Sequence, residues 1–130
     1  YKGNPLKRED SRYLHRGAFH WDLAAKRGHA DTVEGKIFMG LNRLEKLRRQ
    51  EAVFDTKASV YTYDVHDDSI LCIMRERDGE KFFGIFNFSS QDRTAWMQED
   101  GEYRNLMTGE KMEMKDVTVS GHGFVWAKRG

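Results

Sequence analysis

At 130 residues the chain has room for one ordinary domain, or for a small domain and part of another, but not for two complete ones. Its 22 basic and 21 acidic side chains leave a net charge of +1, so no overall field recruits nucleic acid or an anionic membrane. A hydrophobic share of 38% with 12% aromatic residues excludes a disordered chain, and no stretch approaches the roughly 18 apolar residues that cross a bilayer.

The chain opens with Tyr1, Lys2, Gly3, Asn4 and Pro5, which read as loop with no preceding element and without the pattern of an export signal. They look cut from a longer protein, and a cytoplasmic location is expected. Residues 1–17 keep no sustained period and read as irregular loop. Within it, Glu9, Asp10, Arg12, His15 and Arg16 gather acids, two guanidinium groups and an imidazole. A guanidinium suits bidentate pairing with a carboxylate or with sugar hydroxyls, so a substrate-site role and a structural salt-bridge loop both stand open. Residues 20–26 read as a short helix ending near Gly28.

The clearest element is a helix over 32–50, with Asp31 as N-cap and Glu34 three residues on. Val33, Ile37, Leu41, Leu44 and Leu47, with Phe38 beside them, form one apolar stripe that needs a partner. Gly35 and Gly40 each cost a helix interior about 1 kcal/mol relative to alanine, which predicts close approach of a neighbouring element. Lys46, Arg48 and Arg49 complement the carbonyl-rich helix end, and they read as solvated rather than as a nucleic-acid patch.

After Phe54 the period changes to two. Strands are predicted at 60–65, 70–77, 81–88, 94–98, 102–106, 111–114, 117–119 and 123–128, bounded by turn residues. Asp78 and Gly79 supply the positive φ angles of a type I′ hairpin turn. The fold class is therefore mainly β with an N-terminal helical segment, and strands at this spacing predict an antiparallel sandwich.

Five histidines and a single cysteine show no metal-chelating spacing, and no nucleophile elbow or phosphate loop occurs, so neither a metal nor a cofactor is expected. His66 and His122 sit beside turn residues and read as solvated, Cys72 as a small core residue. Asn87, Phe88 and Ser89 match the glycosylation sequon at the end of a predicted buried strand, where chance is the better reading. Trp21, Trp96 and Trp126 can stack on sugar rings, although tryptophans in strands are more often core.

The run Asp10, Ser11, Arg12, Tyr13, Leu14, His15, Arg16 resembles the Asp-Ser-Arg-Trp-x-His-Arg signature of amylosucrases and related sucrose-acting members of the α-amylase superfamily. Gly35 through Leu44 and on to Arg48 is similar to the family's Gly-x-Ile-x-x-Gly-Leu helix. Phe86, Asn87, Phe88 and Ser89 are similar to its Phe-Asn-Phe-Ser strand. The resemblance implies that residues 1–53 end a catalytic (β/α)8 barrel and that 54–130 form the C-terminal antiparallel β-sandwich. It further implies a parent that breaks sucrose by retaining double displacement, with an aspartate nucleophile, a glutamate acid and a second, stabilising aspartate, all upstream of this segment. No catalytic residue is assigned here. Arg12 matches an arginine at the bottom of the glucosyl pocket, where it pairs with an upstream acid; His15 and Arg16 support that loop. The partners implied are sucrose and an α-glucan through the parent enzyme, and the barrel against which this segment packs. Tyr13 for tryptophan and Gly17 for proline depart from the family pattern, leaving amylosucrase, sucrose hydrolase and trehalose synthase open. The rival from another class is a stand-alone carbohydrate-binding or interaction module built on 54–130.

Overall fold

The computed structural model describes residues 19–130, which form two α-helices and six β-strands and divide into two compact units between Arg43 and Leu44. In the first unit α1 (Trp21–Ala25) runs into a 3-10 turn at Lys26–Gly28, as the sequence predicts. α2 (Val33–Gln50) follows and runs across the division, so that its residues from Leu44 onward belong to the second unit. Its N-cap is Thr32 rather than Asp31. The Thr32 hydroxyl accepts a hydrogen bond from the Gly35 N–H at 3.0 Å and donates one to the His29 carbonyl at 2.7 Å. Only a hydroxyl does both, since an ionised carboxylate accepts but cannot donate.

The same closure explains Gly35, because a Cβ there would lie 1.8 Å from the His29 carbonyl oxygen. The expected close approach at Gly35 is thus made by the turn that precedes its own helix. At Gly40 no such approach is made by the described residues, none of which lies within 4 Å of a Cβ built there. Val33, Ile37 and Leu41 stand 69%, 58% and 61% exposed among the described residues.

In the second unit a 3-10 turn at Ala52–Phe54 leads into β1 (Ser59–Thr62), β2 (Ile70–Arg77), β3 (Glu80–Asn87), β4 (Arg93–Asn105), β5 (Lys111–Val119) and β6 (Phe124–Arg129). All pair antiparallel in the order β1-β2-β3-β6-β4-β5. One folded sheet therefore takes the place of the two expected of a sandwich. The physical reason lies in β4, which is longer than predicted. Its end pairs with β6 through Arg104↔Lys128 and Asn105↔Ala127, while its start donates from the Trp96 N–H to the Val65 carbonyl at 3.2 Å. The β4–β5 ribbon folds back over the β1-β2-β3-β6 leaf. Cys72, Phe83, Ile85 and Ala127 from the leaf thereby share one core with Met97, Tyr103, Met114 and Val119 from the ribbon.

Two predicted strand breaks, at Asp100-Gly101 and between 114 and 117, prove to be bulge irregularities inside continuous strands. The register shifts between Ala95 and Gln98 and again between Glu99 and Glu102, where Gly101 and Asp116 adopt positive φ and the ribbon acquires extra twist. The hairpin prediction holds, with Asp78 at φ 50° and Gly79 at 84° and Arg77 paired to Glu80. β1 stops three residues early because Asp64 Oδ1 accepts from the His66 N–H at 2.9 Å and turns the chain, with His66 at φ 57°.

Central strand β3 is buried on both faces. Lys81, Phe83, Ile85 and Asn87 point to the core, while Phe82 faces the 3-10 turn, where Phe54 packs edge-on at 4.8 Å. Arg75 staples that turn to the sheet, donating to the carbonyls of Val53 at 2.6 Å and Asp55 at 2.9 Å. Two glycine substitutions separate the forces on α2. Gly40→Ala should stabilise the helix by about 1 kcal/mol, whereas Gly35→Ala should lower stability by about 1–3 kcal/mol through overpacking. Helical circular dichroism on thermal melting checks this, and shifts in the same direction for both would contradict the His29 contact.

Candidate functional site

Arg12, the substrate-binding candidate, lies outside the described residues, together with His15, Arg16 and the rest of their motif. Among the described residues no three His, Cys, Asp or Glu side chains gather to hold a metal ion, and no helix is long and apolar enough to cross a membrane. The remaining candidates divide into interior and surface groups. Cys72 is buried, and that burial pushes its thiol up to about 12, so it stays protonated and unreactive at neutral pH. Trp126 is core-like, packed between Phe54 at 5.1 Å and Phe82 and Phe124 at 5.8 Å. His122 is exposed at φ 54°, as a turn residue should be.

Asn87, the second residue of the Phe-Asn-Phe-Ser strand, is buried. Its Nδ2 donates within reach of three carbonyls, Gln91 at 2.8 Å, Val119 at 3.0 Å and Ser120 at 3.1 Å. Its Oδ1 accepts from the N–H and hydroxyl of Ser89, each at 2.9 Å. An amide so occupied is no glycosylation acceptor; its work is structural. The signal available in the sequence was its phase, since Asn87 falls in step with the inward-facing Phe83 and Ile85.

Two surfaces are apolar without cover among the described residues. One is the Val33, Ile37, Leu41 row of α2. The other crosses the leaf on the face away from the core, where Leu71, Phe86 and Phe124 stand in register on β2, β3 and β6, with Phe86 and Phe124 stacked at 6.2 Å. A third surface is mixed. Trp96 projects outward from β4 between inward-facing Ala95 and Met97, remains 47% exposed, and lies 5.1 Å from the His66 ring.

The sequence reading missed a charged cluster. Lys128 is in step with Phe124 and Trp126 but nearly buried, and its Nζ donates to Glu51 and, at 3.0 Å, to Glu80. Glu51 comes from the other end of the unit, 77 residues away, which no local pattern reveals. The arrangement ties the end of α2 to the sheet; it has no exposed reactive group.

Residues 62–123 match the family model described as the bacterial alpha amylase C-terminal domain. The match lies within the β unit and spans just under half of the chain. Solved structures share the fold. A maltogenic amylase from S. marinus aligns with 73% of this chain and 12% of its own at 17% identity, with a TM-score of 0.54. A trehalose-6-phosphate hydrolase from Bacillus licheniformis aligns with 71% of this chain and 18% of its own at 20% identity and a TM-score of 0.60. An alpha-glucosyl transfer enzyme, XgtA, aligns with 82% and 19% at 15% identity and a TM-score of 0.60. The chain thus spans less than a fifth of the length of each.

The Lys128 cluster gives the β unit a defined alkaline limit. Burial presses the ammonium toward its neutral form, but the bonds it donates to Glu51 and Glu80 outweigh that and hold its pKa above the ordinary lysine value of 10.5. A group raised in the folded state contributes fully below its unfolded pKa and loses that contribution as pH rises through the folded value. Lys128→Met should cost about 3 kcal/mol at pH 7 by leaving two carboxylates unpaired. Its urea midpoint should also fall less steeply than that of the unaltered chain above the ordinary lysine pKa; parallel pH profiles would refute the assignment.

Proposed function

We propose that this chain is the carboxy-terminal part of an amylosucrase-like enzyme that transfers glucosyl units from sucrose to an α-glucan by retaining double displacement and releases fructose. One observation carries the reading: the Asp10 to Arg16 run precedes, in one chain, a segment that matches the family model of the bacterial alpha amylase C-terminal domain. In this account residues 1–53 close the catalytic barrel, 54–130 form the C-terminal β domain, and the catalytic carboxylates lie upstream. The parent is cytoplasmic, in keeping with the single reduced cysteine.

The exposed rows support the same account. Val33, Ile37 and Leu41 on α2, and Leu71, Phe86 and Phe124 on the leaf, present apolar surface whose removal from water yields about 25 cal/mol per Å². The rest of the enzyme is the partner proposed for them, and the greater length of the aligned structures makes such a partner reasonable. A self-standing carbohydrate-binding module on 54–130 is the rival, but it leaves the α2 row without purpose.

Arg12 is proposed to close the far end of the glucosyl pocket by pairing with an upstream acid, so that a single glucosyl unit fits. Its planar fork would position the sugar rather than perform chemistry. Arg12→Ala in the longer polypeptide should lower sucrose turnover by about a hundredfold without shifting the thermal midpoint, and unchanged turnover would remove the assignment. Fructose released in excess of glucose marks transfer, whereas equal release makes the parent a sucrose hydrolase.

A further inference from the structure

We propose that Trp96 and His66 form an auxiliary α-glucan binding platform on the β domain, separate from the pocket assigned to Arg12. The inference rests on reading the parent as an enzyme of α-glucans, and it begins with the pattern of β4. Ala95 and Met97 are fully buried, so the strand has no packing requirement that would hold a neighbouring indole in water. Yet Trp96 is about half exposed, at the bulge where the ribbon changes register between Ala95 and Gln98. Bulges re-aim side chains in this manner.

The platform is built rather than incidental. The Trp96 backbone N–H donates to the Val65 carbonyl at 3.2 Å, which holds this part of β4 beside the loop that follows β1. The next residue of that loop, His66, is held by its own N–H to Asp64 Oδ1 at 2.9 Å. Its ring Nδ1 faces Asp64 Oδ2 at 3.5 Å, and its centroid lies 5.1 Å from the indole at 50°. Two aromatic planes set at an angle cradle a pyranose, whose C–H face suits a π surface. Asp64 and the free edge of the imidazole sit beside them in solvent to meet equatorial hydroxyls. Thr94, on the same face of β4, pairs its hydroxyl with Thr118 at 3.2 Å and continues the polar rim. An aromatic floor with a carboxylate, an imidazole and hydroxyls around it is chemistry for a neutral sugar chain. It does not suit an anionic ligand, which Asp64 would repel, or a purely apolar one, which would leave the rim unsatisfied.

Affinity electrophoresis of the 130-residue chain through gels with and without soluble amylose tests this directly. Retardation by amylose is expected. It should fall about tenfold or more with Trp96→Ala, return in part with Trp96→Phe, and stay unchanged with Trp21→Ala, which removes another exposed indole. Near-ultraviolet circular dichroism of each variant confirms that the β domain is intact. Absence of retardation, or retardation indifferent to Trp96, overturns the platform. Activity of the longer polypeptide on sucrose, measured in parallel, separates the two proposals: turnover without retardation removes the platform alone, and Trp96-dependent retardation without turnover sustains the platform while removing the enzyme reading.

Discussion

The β unit depends on one buried amide. Asn87 closes β3 at the point where the chain must leave the leaf and enter the ribbon. Its two amide N–H groups lie within reach of three carbonyls, those of Gln91, Val119 and Ser120, and its Oδ1 accepts from the N–H and hydroxyl of Ser89. The turn after β3 and the last residue of β5 are thereby held to the same side chain, so the ribbon has no choice but to fold over the leaf. A buried polar side chain that is fully paired specifies a unique arrangement, while the same side chain half paired would cost more than an apolar replacement. The hydrophobic core formed by Phe83, Ile85, Met97, Met114 and Val119 is non-directional. Asn87 adds bonds of fixed direction at the turn between β3 and β4.

That division between non-directional burial and directional bonding also explains how much the sequence disclosed. Period two and the Asp78-Gly79 turn identified β2, β3 and their pairing because both signals are local. The helix was equally legible from its stripe, but its N-cap shifted from Asp31 to Thr32 because the deciding bond runs backward to His29. β4 and β5 were each divided in two because Gly101 and the residues around Asp116 look like turns. Ladder pairing with neighbours carries the strands through those positions as bulges. One folded sheet instead of two separate ones follows from two residue pairs, Arg104↔Lys128 and Asn105↔Ala127, whose partners lie far apart in sequence. Of the candidate site, Trp96 was named from the sequence, but its companion His66 emerged only from the loop that brings the rings together.

The surface left by this fold has an uneven character. Charged residues cover the ribbon edge, with Lys111 bonded to Glu102 at 3.0 Å and Lys115 near Asp100 at 3.6 Å, which discourages pairing with another sheet. The α2 row and the leaf row, where Leu71 and Phe124 are exposed on either side of half-buried Phe86, have no such protection among the described residues. In the proposed parent these rows are interior. On the proposed reading the β unit thus has two duties, packing against the catalytic domain and holding a length of glucan, and the chemistry is left to residues upstream.

The core of the β unit closes within its own six strands, whereas in the proposed parent the α2 face is covered by the rest of the enzyme. Amide hydrogen exchange of the 130-residue chain and of the longer polypeptide containing it tests that claim most directly. The account predicts strong protection of β2, β3 and β6 in both proteins, with the amides of 36–41 exchanging quickly in the short chain and slowly in the long one. Equal protection of those helix amides in the two proteins would contradict it.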